Sequence, residues 1–236
     1  MSGRWCALPD VPADHGHVNG RREIAIGLIA YAAYLLVRAL VWTRSGRARA
    51  VRNAGRIVAL ERRLHVHVEG RVQDVALRWP RLVDALNAGY AVGNVGLTLG
   101  WLLRLYRRRD PAFRAERRAA VAAFAAALPA FAVFPTAPPR VLDGFVDTLA
   151  VRGAGLDHPL LVRLYNPIAA FPSHHVAFAL VTGSGLARRA RGPLWRAAWR
   201  AYPAAVTIVV IATANHFILD AVAGATLGSA ARWVAR

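Results

Sequence analysis

Six apolar runs dominate the chain, at about 23–42, 82–105, 119–134, 171–186, 194–214 and 217–234, with arginine-rich connections between them. A helix that crosses a bilayer needs about 20 predominantly apolar residues. Runs of this length therefore predict an all-α fold, a bundle of six transmembrane helices. The composition agrees: 56% of the 236 residues are hydrophobic and the mean hydropathy is +0.31, too apolar for an ordinary soluble domain. Disorder and fibrous repeats are excluded by the same figures. Residues 1–22 are polar and rich in glycine, proline and histidine, and are expected to form a tail ahead of one membrane-embedded domain over 23–236. The first run is read as an uncleaved span, because Arg44, Arg47 and Arg49 follow it where a signal peptide would carry its charges in front.

The segment 57–79 has a different pattern. Ile57, Leu60, Leu64, Val68, Val72, Val75 and Trp79 recur at steps of three or four, while Arg62, Arg63, Glu69, Arg71 and Asp74 lie off that stripe. So many charges are expensive inside a span. The spacing predicts an amphipathic helix lying in the interface, weakened at Gly70, with His65 and His67 as interfacial side chains.

The charge is lopsided, with 31 basic residues against 13 acidic, a net charge of +18, and every basic residue an arginine. A balance of this kind can signal nucleic acid. Here the arginines cluster between apolar runs, which points to anionic lipid headgroups and away from nucleic acid. The loops at 107–118 and 188–200 are the most basic, so the positive-inside rule places them in the cytoplasm together with both termini. Thr43–Arg81, Pro135–Ala170 and the turn near Asn215 then fall outside the cell membrane, although the first of these is itself arginine-rich. The single cysteine, Cys6, excludes an internal disulfide and a cysteine-based metal site.

Three clusters on the outer side carry the chemistry. His216, Asp220, Gly224 and Gly228 are spaced by four and share one helix face. The Asp220 carboxylate is within one turn of the His216 ring, a pairing that fixes the tautomer and raises the basicity of the free nitrogen. The same spacing also suits a purely structural bond between helices. Phe171-Pro172-Ser173-His174-His175 reads as a helix start with Pro172 in the first turn, free N–H groups for an anion, and a histidine able to protonate a leaving oxygen. A simple capped helix start has the same appearance. Arg140 follows Pro135, Pro138 and Pro139 in a stiff loop; its planar fork suits phosphate oxygens, and equally a lipid headgroup. Asp143 and Asp147 are candidate partners for it. The four residues Gly89, Gly93, Gly96 and Gly100 predict close helix approach.

Taken together these clusters resemble the type 2 phosphatidic acid phosphatase superfamily. Pro172, Ser173 and His175 match its proline-serine-x-histidine signature, and His216, Asp220 and Gly224 match the end of its third signature. The Pro138-Pro139-Arg140 stretch with Gly144-Phe145-Val146-Asp147 is most similar to the inositol phosphorylceramide synthase branch. The resemblance extends from about Ile57 onward. Two basic positions of the family pattern are occupied here by Val133 and Val210. The resemblance implies that His216 attacks phosphorus to give a phosphohistidine, that Asp220 orients it, and that His175 protonates the departing alkoxide. It further implies that Arg140 and Ser173 hold the phosphate oxygens, with His174 as a pocket wall, and that no metal or cofactor takes part.

The expected function is a multi-pass enzyme of the cell membrane, a lipid-phosphate phosphatase or phosphotransferase with its site at the extracytoplasmic face. Water or a hydroxyl acceptor resolves the intermediate, so a headgroup transferase is the near alternative. A proton-coupled transporter using His216 and Asp220, and a metal site built from His174, His175, His216 and Asp220, are the readings from other classes.

Overall fold

The computed structural model describes residues 18–151 and 163–236, and they are helical throughout apart from turns and one isolated parallel bridge between Thr136 and Ala169. The helices are α1 (Gly20–Val41), α2 (Arg44–Arg63), α3 (Glu69–Leu77), α4 (Pro80–Ala88), α5 (Asn94–Arg107), α6 (Phe113–Val133), α7 (Thr148–Val151), α8 (His174–Arg189), α9 (Pro193–Ala212) and α10 (Ile218–Val234). Most of the expected tail, residues 1–17, lies outside the described residues; its last three join α1.

Helix α1 begins where the Asn19 side chain accepts a hydrogen bond from the Arg21 N–H. Its 22 residues rise about 33 Å. Only Val41 is buried, while Ile24, Leu28, Ile29, Leu36 and Leu40 face outward. By length and hydropathy α1 alone among the described helices qualifies as long and apolar enough to cross a membrane. The other expected spans do form helices, each less apolar or shorter for a visible reason. Helices α8 and α10 have 16 and 17 residues. A π-helical turn, Gly89–Gly93, divides α4 from α5. Helix α6 carries Arg114, Glu116, Arg117 and Arg118 near its start, and α9 carries Arg196 and Arg200.

The amphipathic segment needs correction. It is not one helix over 57–79 but two, and the break falls at Leu64–Val68, where His65 takes a left-handed φ of 57°. Gly70 sits within α3. Val66 N–H donates to the Glu61 carbonyl across the turn, so the helix ends where the amphipathic stripe alone would have continued.

At the centre is α8, packed against α5, α6, α9 and α10. Its contacts with α10 are made through glycine. A Cβ on Gly224 would stand 2.3 Å from the Ser173 carbonyl oxygen, and one on Gly228 would stand 2.8 Å from that of Ala177. The expected glycine seam on α5 is absent: a Cβ at Gly89, Gly96 or Gly100 would meet nothing within 4 Å, and one at Gly93 only Ala88 O at 3.8 Å. Helix α5 is joined to α8 by polar contacts. Asn94 donates to the His175 carbonyl at 2.7 Å and accepts from the Tyr202 hydroxyl, and Thr98 meets Thr182 at 2.9 Å.

Side-chain amides hold the loop after α6. Asn53 donates to Pro135 O, Gln73 makes two bonds to the Val146 backbone, and Asn87 makes two to Thr148. Each satisfies buried backbone groups that no regular element serves. Three helices thereby fix the position of the segment that carries Arg140.

Candidate active site

His216, His175 and Arg140 converge on one cavity of about 480 Å³. They come from three elements: the turn before α10, the first turn of α8, and the proline-rich loop. The His175 and His216 rings lie 5.7 Å apart, centre to centre. Behind His175 the Tyr90 ring stacks at 4.4 Å, which fixes the plane of the imidazole.

His216 is almost completely buried, and its Nδ1 lies 2.8 Å from the Ala170 carbonyl oxygen. A carbonyl oxygen can only accept, so Nδ1 carries the proton and Nε2 keeps its lone pair. Asp220 is the more distant neighbour, with Oδ2 3.4 Å from Nδ1. That oxygen also accepts from the Phe217 N–H at 2.9 Å, closing the first turn of α10. The expected His216–Asp220 pair is therefore present, but a backbone carbonyl takes the shorter contact. The carbonyl is itself positioned, since Ala170 N–H donates to Thr136 O and Thr136 N–H to Ile168 O.

Arg140 is buried and held on two sides. Its Nη1 donates to Asn215 Oδ1, and its Nε lies 3.4 Å from Asp147 Oδ2. Of the two candidate partners, Asp147 is thus the one engaged. Asn215 is fixed in turn by Thr213, to which its amide donates at 2.8 Å. The Arg140 N–H donates to Ala214 O, so the arginine loop and the histidine turn share a backbone bond.

The serine cluster differs from expectation. Ser173, not Pro172, borders the helix: Pro172, joined to Phe171 by a cis peptide bond, comes before it, and α8 starts at His174. The Ser173 Oγ accepts from the Val176 N–H as an N-cap, its N–H donates to Asp220 O, and it is fully buried away from the cavity wall. His174 does line the cavity. Its Nε2 is 3.2 Å from Phe124 O, and its ring packs among Phe124, Phe131 and Phe178.

Sequence reasoning did not single out Asn215, Tyr90, Tyr31 or Tyr34, all of which line the cavity. The Tyr31 hydroxyl donates to Leu164 O, and the Tyr34 hydroxyl accepts from the Asn166 N–H, tying α1 to the opposite wall. Asn215 had a signal, its place beside His216 in a polar turn between two apolar runs. The tyrosines had none, being ordinary residues of apolar helices. Neither Val133 nor Val210 meets a compensating cation at its own position: Val133 is exposed, and Val210 is core whose carbonyl accepts from Asn215 and His216 N–H groups.

The four-residue metal set expected as an alternative does not assemble. Among the described residues, one trio of donor atoms lies within 4.8 Å of one another, and it is Glu61, His67 and Glu69. Glu61 Oε1 accepts from the Leu219 N–H and Glu69 Oε1 from the Ile218 N–H, so both carboxylates cap α10. Burial pushes the Glu61 carboxyl up to about 8, opposed by the Leu219 amide and reinforced by Glu69. His67 faces both carboxylates.

A family model described as the PAP2 superfamily matches residues 55–234. No curated protein and no solved structure matches the chain.

Proposed function

The chain belongs to the PAP2 superfamily, whose members are phosphatases, and from that premise we propose that it is a membrane enzyme acting on a lipid phosphate through a phosphohistidine. The observation that carries the reading is the convergence of His216, with its Nε2 lone pair left available, His175 and buried Arg140 on one cavity.

The chemistry follows from those positions. His216 Nε2 attacks phosphorus while the bond to the lipid oxygen breaks. His175 gives its proton to that oxygen, and the lipid alcohol leaves. Arg140 faces the non-bridging oxygens, where fixed charge stabilises the transition state most in a site of low dielectric. In the second half a water molecule attacks the phosphohistidine, His175 takes its proton, and the P–N bond breaks to release phosphate. A lipid or polyol hydroxyl in place of that water would make the protein a headgroup transferase of the inositol phosphorylceramide synthase type.

A second cavity supports a lipid. A groove of about 850 Å³ runs between α1, α5 and α6, lined by residues such as Ile24, Gly27, Leu99 and Leu103. It shares Tyr31, Val95, Phe124 and Phe178 with the site. A phosphate held at His216 would leave its hydrocarbon tail lying in this groove. The transporter reading is less well supported, because Asp220 is fully buried, lies off the cavity wall and is engaged with Phe217.

We place the protein in the cell membrane with six spans, α1, α4–α5, α6, α8, α9 and α10, and the site at the extracytoplasmic end. The deciding experiment assays purified protein against phosphatidic acid, a polyprenyl pyrophosphate and a phosphoinositide-type donor, with and without alcohol acceptors. Release of phosphate, or transfer to the acceptor, with competitive inhibition by vanadate is expected. Absence of turnover on every donor, together with proton-coupled uptake in proteoliposomes, would put the transporter first.

A further inference from the structure

Outside the catalytic cavity, the corner between α2 and α3 holds two fully buried carboxylates, Glu61 and Glu69, on either side of one imidazole. Each carboxylate spends its Oε1 on a helix α10 N–H. The two Oε2 atoms turn the other way, toward His67 Nδ1, at 3.3 Å from Glu61 and 2.9 Å from Glu69. A single ring N–H cannot serve both. The bond goes to Glu61, and Glu69 Oε2, fully buried, is left without a hydrogen-bond partner despite the shorter distance. Buried carboxylates side by side are costly unless positive charge joins them.

We propose that Glu61, His67 and Glu69 bind a divalent transition-metal ion, Zn²⁺ or Mn²⁺, at a site distinct from the catalytic cavity. The donor separations suit it. Metal–nitrogen and metal–oxygen bonds of roughly 2.0–2.2 Å place neighbouring donors about 3.0–3.5 Å apart in tetrahedral or octahedral geometry, and the two nitrogen–oxygen separations are of that size. One imidazole with two carboxylates selects a first-row transition ion over Ca²⁺ or Mg²⁺, which favour oxygen alone. Two carboxylates neutralise the ion, and neutral His67 binds through Nδ1. His67 is partly exposed, so water completes the shell and the ion has a way in. The ion would lock the α2–α3 corner onto the N-terminus of α10, two residues beyond His216. The role is structural, and the catalytic step is not routed through it.

The test uses the full chain in detergent micelles, stripped with chelator and dialysed. Zn²⁺ and Mn²⁺ are then titrated separately, with thermal unfolding and bound metal per chain as readouts. One ion per chain and a saturable rise in unfolding temperature are expected. Co²⁺ should give a visible absorption spectrum with a nitrogen ligand. His67→Ala leaves both α10 caps in place, and should lose at least the roughly 10–100-fold in affinity that removing even an outer-shell partner costs a metal site. His65→Ala, two residues away and exposed, should bind as the parent does. A parent chain that binds neither ion and gains no thermal stability would overturn the proposal, and would leave a proton shared by the two carboxylates. Equal binding by His67→Ala would overturn it as well. Neither readout involves phosphatase activity, so the outcome stands apart from the catalytic reading.

Discussion

At the scale of single residues, the two histidines differ in what surrounds them. The His216 Nδ1 proton is directed at Ala170 O, whereas His175 is fixed by stacking on Tyr90. In the proposed mechanism one is the nucleophile and the other the proton donor, and the leaving group separates them. A lipid alkoxide needs a proton as the P–O bond breaks, and general acid catalysis supplies roughly 10²–10⁴-fold. An aryl phosphate such as p-nitrophenyl phosphate leaves as a stable phenolate and needs little help. His175→Ala should therefore lose lipid turnover by that factor and keep appreciable aryl phosphatase activity, while His216→Ala loses both. Asp220→Asn should resemble a milder His216→Ala, since the Ala170 carbonyl still holds the ring. Steady-state rates on both substrates decide the matter: equal losses for His175→Ala would remove it as the acid, and a fully active His216→Ala would end the covalent mechanism.

At the scale of elements, the site depends on how closely α8 approaches α10. Ser173 caps α8 and donates its own N–H to Asp220 O, so the starts of α8 and α10 are linked through the position that Gly224 leaves open. Gly224→Ala places a methyl 2.3 Å from a backbone oxygen that has little room to yield. Overpacking of this kind costs about 1–3 kcal/mol, and turnover should fall with stability because the helix starts move apart. Gly96→Ala meets nothing within 4 Å and should be neutral or slightly stabilising, by about 0.5–1 kcal/mol from helix propensity. Thermal unfolding in detergent measures both, and the argument fails if the two variants behave alike. The pair also shows the limit of pattern reading. Glycine every three or four residues marks a helix face, but which face meets a neighbour is fixed by packing: the 224/228 pair does and the 89–100 series does not.

At the scale of the whole molecule, the chain is polarised end to end. The site lies at the starts of α8 and α10 and beyond the end of α6. At the opposite end Glu116 receives both Arg188 and Arg232 at 2.8 Å, Arg189 pairs with Asp110, and Arg117 with Glu23. Ala235 packs against the start of α6 there, and Gly20 lies beside Tyr106, so both described ends of the chain share the arginine end. The arginines of α2 are the exception, lying near the site but exposed on a helix whose opposite face is buried. The topology proposed above, with the site outside, follows the positive-inside rule. Asp143→Cys and Arg108→Cys, introduced singly in a chain lacking Cys6, should react with an impermeant thiol reagent only at position 143. Labelling at 108 alone would invert the topology.

The order of residues alone was enough to expect an all-helical chain and to nominate His175, Arg140 and His216, which the fold brings to one cavity. Apolar length, helical spacing and the Pro172–His175 and His216–Gly224 patterns are local properties, and local properties are written in consecutive residues. It also gave Arg140 its place after a stiff loop. Which atoms meet is set by packing. The amphipathic stripe over 57–79 gave no sign of the break at His65, nor that His67 would stand between Glu61 and Glu69 at the start of α10. The Ala170 carbonyl that sets the His216 tautomer lies 46 residues away, and a backbone oxygen carries no signature in sequence. Asn215, 75 residues from Arg140, became its partner through packing, whereas Asp147 was already a candidate. Such contacts arise between segments distant in the chain, and their geometry exists only once the helices have packed.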